Sequence, residues 1–137
     1  MPSPIRTTPP DMVLETGLGQ EVHVFLYPGL EAYRHALTTT WEVDVEVAYR
    51  TDGFCLGAAS KGSGVVAVVL LPRDRISIPL VTHELTHAAL RALARMDVTS
   101  VPINGSPDDP ETVSGVEEML CQVMEELHGG FWRQWIA

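Results

Sequence analysis

The stretch Val81-Thr-His-Glu-Leu-Thr-His-Ala-Ala89 sets His83 and His87 four residues apart, with Glu84 directly after the first histidine, inside an apolar run. On a helix, residues four apart share a face one turn apart, so two imidazoles at this spacing can converge on one metal ion. Glu84 is rotated by about 100° from His83. From there its carboxylate can reach a water in the metal's open position without taking a ligand site. Zinc suits two neutral imidazoles, and a bound Zn2+ lowers the pKa of its water from about 15.7 to near 7 while polarising a carbonyl oxygen. The chemistry expected of such a site is hydrolysis of an amide at neutral pH, with Glu84 as general base. A purely structural helix is the competing explanation, but it would require a buried partner for each of these polar side chains.

A catalytic zinc needs a third protein ligand, with the fourth position left to water. The residues after His87 read Ala-Ala-Leu-Arg-Ala-Leu-Ala-Arg-Met and contain no third histidine, which excludes an extended HExxHxxGxxH pattern. What remains is a carboxylate on a later helix, and Glu117 and Glu118 are the only adjacent acids that open one.

The HELTH stretch followed by Glu118-Met-Leu-Cys-Gln-Val-Met-Glu-Glu-Leu127 resembles the gluzincin metallopeptidases, in which HExxH is completed by a glutamate on the next helix. The likeness spans about Val65 to Trp132 and looks most like the small metallopeptidase-like proteins of phages and prophages. In the group, the ligand glutamate is followed by apolar residues at the second and fifth positions and a small residue at the third. Counted from Glu118 these are Leu120, Val123 and Cys121; counted from Glu117 they are Met119, Gln122 and Leu120, a poorer match. The resemblance thus implies His83, His87 and Glu118 as zinc ligands, with Glu117 as the alternative third. Helical geometry leans the same way, since Glu118 points nearly opposite the apolar stripe Val113, Val116, Leu120, Val123 and Leu127, provided that the stripe packs inward. One departure is Gln122, which stands where the thermolysin-like members place an aspartate that orients a zinc histidine. The group also stabilises the oxyanion with a Tyr or His, for which Tyr49, Tyr27 and His128 are candidates.

The elements that must position these residues follow from periodicity. Glu21–Tyr27 alternates polar and apolar residues before Pro28-Gly29 and predicts a half-buried strand, and residues 30–41 predict a short helix. Residues 42–50, with valines at 43, 45 and 47, predict a strand with a solvated acidic face. Residues 51–64 read as turn and flexible chain. Val65–Pro72 is an unbroken β-branched run, expected to be a strand buried on both faces. In the resembled group the corresponding strand offers its edge to an extended peptide. From Ile78 the period is helical, with Pro79 in the first turn. Residues 97–112 predict a loop, and residues 113–127 a helix capped by Thr112 or Ser114 and ended by Gly129-Gly130. His23 and His35 are expected to lie outside the site, and Phe131, Trp132 and Trp135 to pack on the domain, with an oligomer contact as the alternative.

The chain has 137 residues, 45% of them hydrophobic, which is enough for one domain with its own core. The first dozen residues hold four of the ten prolines and predict a loose arm, leaving 13–137 as a single domain. No stretch is long and apolar enough for a membrane helix, and the start has no secretory h-region, so a cytoplasmic protein is expected. The formal charge is −9, and Asp97 to Trp132 contains no Lys or Arg, which argues against a nucleic-acid partner. Cys55 and Cys121 are not in metal-binding spacing and are expected to be reduced thiols. The expectation is an α+β zincin-like fold, with a small antiparallel or mixed sheet beside a metal helix and a Glu-bearing helix. Its function would be zinc-dependent cleavage of peptide bonds in a protein or peptide substrate, with possible homo-oligomerisation. The competing function is a non-catalytic metal-binding regulatory module.

Overall fold

The computed structural model describes residues 8–57, 64–98 and 115–137. Strand β1 (Met12–Glu15) turns back on β2 (Glu21–Tyr27) as an antiparallel hairpin. Gly17 and Gly19 supply the positive φ that this turn needs (82° and 77°), and the Thr16 amide donates to the Gln20 carbonyl at 3.1 Å. Helices α1 (Leu30–Thr39) and α2 (Val45–Arg50) follow, then β3 (Phe54–Gly57), β4 (Val65–Pro72), a single 3-10 turn at Arg73–Arg75, α3 (Ile78–Arg95) and α4 (Gly115–Ile136). The strands form one mixed sheet of order β1-β2-β4-β3, with β2 and β4 parallel and β3 and β4 antiparallel. The architecture is α+β.

Helices cover both faces of the sheet. On one face Met12, Leu14, Val22, Val24, Ala67, Val69 and Leu71 bury against α3 and α4, which contribute Val81, Leu85, Ala88, Ala89, Ala92, Val123, Leu127 and Phe131. On the other face Phe25 and Leu70 pack with Tyr33 and Leu37 of α1 and Ala48 of α2. β4 has neighbours on both edges and side chains in both cores, which is what its unbroken apolar run predicts.

α3 is well bounded. The Ser77 hydroxyl accepts from the Leu80 amide at 3.2 Å, and Pro79 lies in the first turn, where its missing N–H costs nothing. At the other end Asp97 adopts φ 64°, Val98 N–H donates to the Leu93 carbonyl and Asp97 N–H to that of Ala94, forming a Schellman motif. α4 runs antiparallel to α3. Glu126 packs on Gly17, in the turn whose Gln20 side chain donates to Ala92 near the C-terminal end of α3, whereas Trp135 lies under Arg73, just ahead of the start of α3.

Several elements differ from the sequence expectations. The run at 42–50 is a helix from Val45: the Asp44 side chain accepts from the Glu46 amide at 2.9 Å and caps it, Ala48 points into the second core, and Val45 is 60% exposed. An alternating pattern this short fits one helical turn and a half once a cap is present. β1 was not expected. It begins at Met12, and the Asp11 amide already donates to Val24, so the last residues of the proline-rich arm belong to the sheet; residues 1–7 lie outside those described. Part of the presumed turn after residue 51 is strand β3. α4 does not stop at Gly129-Gly130 but continues to Ile136, because Gly130 is buried against Leu14 and Phe131, Trp132 and Trp135 beyond it pack on the core. The proposed caps Thr112 and Ser114, and most of the loop at 97–112, fall outside the described residues. No helix among those described is long and apolar enough to cross a membrane.

Candidate metal centre

α3 presents its apolar stripe to the sheet and to α4, so His83 and His87 stand on its solvent side while Glu84 lies at the boundary and is only 4% exposed. Glu84 is held there by shape. A Cβ at Gly53, just before β3, would stand 3.1 Å from Glu84 Cγ, 2.8 Å from Leu80 Cδ1 and 3.1 Å from Leu71 Cδ2, so only glycine lets the chain pass this close. The Nε2 atoms of His83 and His87 are 3.3 Å apart, and Glu84 Oε2 is 3.9 Å from His83 Nε2. Each of the three residues offers one ligand atom within 4.8 Å of the others, and among the described residues this is the one such group.

The spacing can be tested against a metal. Two nitrogens about 2.0–2.1 Å from a tetrahedral zinc lie about 3.3–3.4 Å apart. The observed 3.3 Å matches. The group could therefore hold a metal ion. Burial raises the Glu84 carboxyl above its ordinary range, partly offset by the neighbouring His83. Such a carboxyl takes up a proton more readily than an exposed one.

Glu117 and Glu118 are not in this group. They open α4, with Glu117 half-buried and Glu118 exposed. Glu118 lies eight residues, about 12 Å of helix, before Glu126, which is already level with the C-terminal part of α3. Glu118 does point away from the buried stripe of Val123, Leu127 and Phe131, as its position on the helix predicts.

The three oxyanion candidates are dispersed. The Tyr27 hydroxyl accepts from Trp41 Nε1 at 2.9 Å on the face of the sheet opposite α3. Tyr49 is 60% exposed under the Arg34 guanidinium, and His128 is half-buried on α4, with burial lowering its pKa. His23 pairs with Glu21 at 3.2 Å and His35 is exposed, so both are outside the site. β4 cannot offer an edge, since both of its sides are paired; the edge strand beside α3 is β3.

The strand that walls this site, β3, lies where the sequence predicts turn and flexible chain. Its side chains toward α3 are small: Gly53, then Cys55, whose thiol burial pushes up to about 12, then Gly57, where a Cβ would meet Arg91 Nη1 at 2.6 Å. The available signal was the alternation of small residues in Gly53-Phe-Cys-Leu-Gly57. Both cysteines are free. Compared with known protein families, with characterised proteins and with solved structures, the chain matches none.

Proposed function

We propose that His83 and His87 hold a zinc ion and that the site hydrolyses peptide bonds in a protein or peptide substrate, with Glu84 as general base. The observation that carries this reading is the 3.3 Å separation of the two Nε2 atoms beside a buried carboxylate. Zinc bound there would supply an activated water and a Lewis acid for the carbonyl oxygen. Glu84 receives the proton on its carboxylate. Its burial beside Gly53 keeps bulk water from one side. A zincin-like arrangement, as the sequence resemblance implies, accounts for a metal helix lying beside an edge strand.

One observation favours a second reading, a metal-holding module without hydrolysis. Glu117 and Glu118 stand outside the group, so that among the described residues Glu84 is the carboxylate grouped with the two histidines. A ligating Glu84 would not be free to act as base. Glu84→Gln separates the two. If Glu84 is the base, the variant binds zinc one to one by mass spectrometry and loses cleavage of a denatured protein substrate by at least about 100-fold. If Glu84 is a ligand, zinc is lost as well. Glu117→Gln and Glu118→Gln, measured in the same way, identify a third ligand from α4. Absence of stoichiometric zinc in the wild type, with His83→Ala unchanged, would remove the metal reading altogether.

A further inference from the structure

His83, His87 and Arg91 stand on successive turns of α3, at i, i+4 and i+8. Arg91 does not extend into solvent. Its guanidinium lies along the edge strand: its Nη1 and Cζ would be 2.6 and 3.1 Å from a Cβ at Gly57, and its charge acts on the Cys55 thiol. The lack of a side chain at Gly57 thus leaves the guanidinium room against β3, one helical turn beyond His87. No carboxylate among the described residues lies within ion-pairing distance of it. In a chain with twice as many acids as bases, this is a positive group without an ion-pair partner among the described residues, one helical turn beyond His87.

Four residues of helix advance about 6 Å. An extended peptide advances about 3.3 Å per residue. A chain lying along β3 with its reacting carbonyl at the histidines would therefore bring a group about two residues away to Arg91.

We propose that Arg91 binds a carboxylate of the substrate, so that the site selects peptides carrying a carboxylate about two residues from the bond held at His83 and His87. The planar fork of the guanidinium donates two parallel N–H bonds to a carboxylate, which neither the thiol of Cys55 nor the backbone of Gly57 can mimic. The carboxylate can be a chain terminus or an Asp or Glu side chain. This inference rests on the zinc site proposed above.

The test uses zinc-loaded full-length protein and two pairs of short peptide hydroxamates. One pair differs only in a C-terminal carboxylate against carboxamide, the other only in Asp against Asn two residues from the hydroxamate. By calorimetry the carboxylate member of one pair should bind at least about tenfold more tightly, and which pair does so identifies the source of the carboxylate. Arg91→Gln should bring the two members of that pair to equal affinity while zinc stoichiometry stays at one. Arg91→Lys should keep only part of the preference. Equal affinities within both pairs for the wild type, or a preference that survives Arg91→Gln, would overturn the inference while leaving the zinc site standing. A wild type that binds no zinc would overturn both, and the metal analysis performed first tells the two failures apart.

Discussion

Glu84 is a buried carboxylate with a histidine, His83, beside it, and its burial has a cost in the metal-free protein. Its folded-state pKa is raised, so the folded chain holds this proton more tightly than the unfolded chain. The stability it contributes is complete below its ordinary value of 4.5 and is lost as the pH rises through the raised value. Metal-free Glu84→Gln should therefore melt higher than the wild type at pH 7, by about 3–5 °C for each ~1 kcal/mol regained, with the gain vanishing near pH 4. A lower melting temperature at pH 7 would show that the carboxylate is held by interactions stronger than its desolvation. Cys55 offers a second measurement at this scale. With its thiol pushed up to about 12 and half-buried, almost none of it is thiolate at pH 8, whereas Cys121 is exposed on α4. A thiol reagent should label one equivalent rapidly and a second at least about 100-fold more slowly. Peptide mapping should assign the fast one to Cys121.

At the scale of elements, α4 is where local rules and packing disagree. A Gly-Gly pair ordinarily ends a helix, yet α4 passes through Gly129 and Gly130 because the aromatic residues beyond them bury on β1 and α3. A Cβ at Gly130 would stand 3.4 Å from Leu14 Cδ2, an ordinary van der Waals contact. Gly130→Ala should then stabilise the protein by about 0.5–1 kcal/mol through helix propensity and reduced unfolded-state entropy. Urea denaturation reads this directly, and a destabilised variant would place the end of the helix at the glycine pair after all. β3 is the complementary case. It is only four residues long, and what distinguishes it is the lack of bulk at Gly53, Cys55 and Gly57, which lets α3 approach and sets Glu84 and Arg91 against it.

For the whole molecule, zinc binding should appear as linkage. A ligand that binds only the folded state at 100 times its dissociation constant stabilises by about 2.7 kcal/mol. For a chain of this size that is roughly 10 °C in melting temperature. Zinc should raise the wild type by about this amount and leave His83→Ala and His87→Ala unmoved; an equal rise in all three would place the metal elsewhere. The α+β class, the buried strand Val65–Pro72 and the helix carrying His83, Glu84 and His87 could all be read from sequence, because each depends on periodicity over at least eight residues. The convergence of the two imidazoles belongs with them, since i and i+4 are neighbours on any helix. Residues 42–50 could not be read in this way. Their alternation suited a strand, and a cap at Asp44 together with burial of Ala48 decided for a helix. Nor could periodicity place Glu117 and Glu118 relative to the histidines, or bring Gly53 and Arg91 to the site. Those positions depend on the direction in which α4 returns and on which strand lies at the sheet edge. Sequence by itself determined the chemistry available on one helix. The tertiary structure alone decided which other residues surround that helix, because those contacts join segments far apart in the chain, whose approach is set by shape and burial.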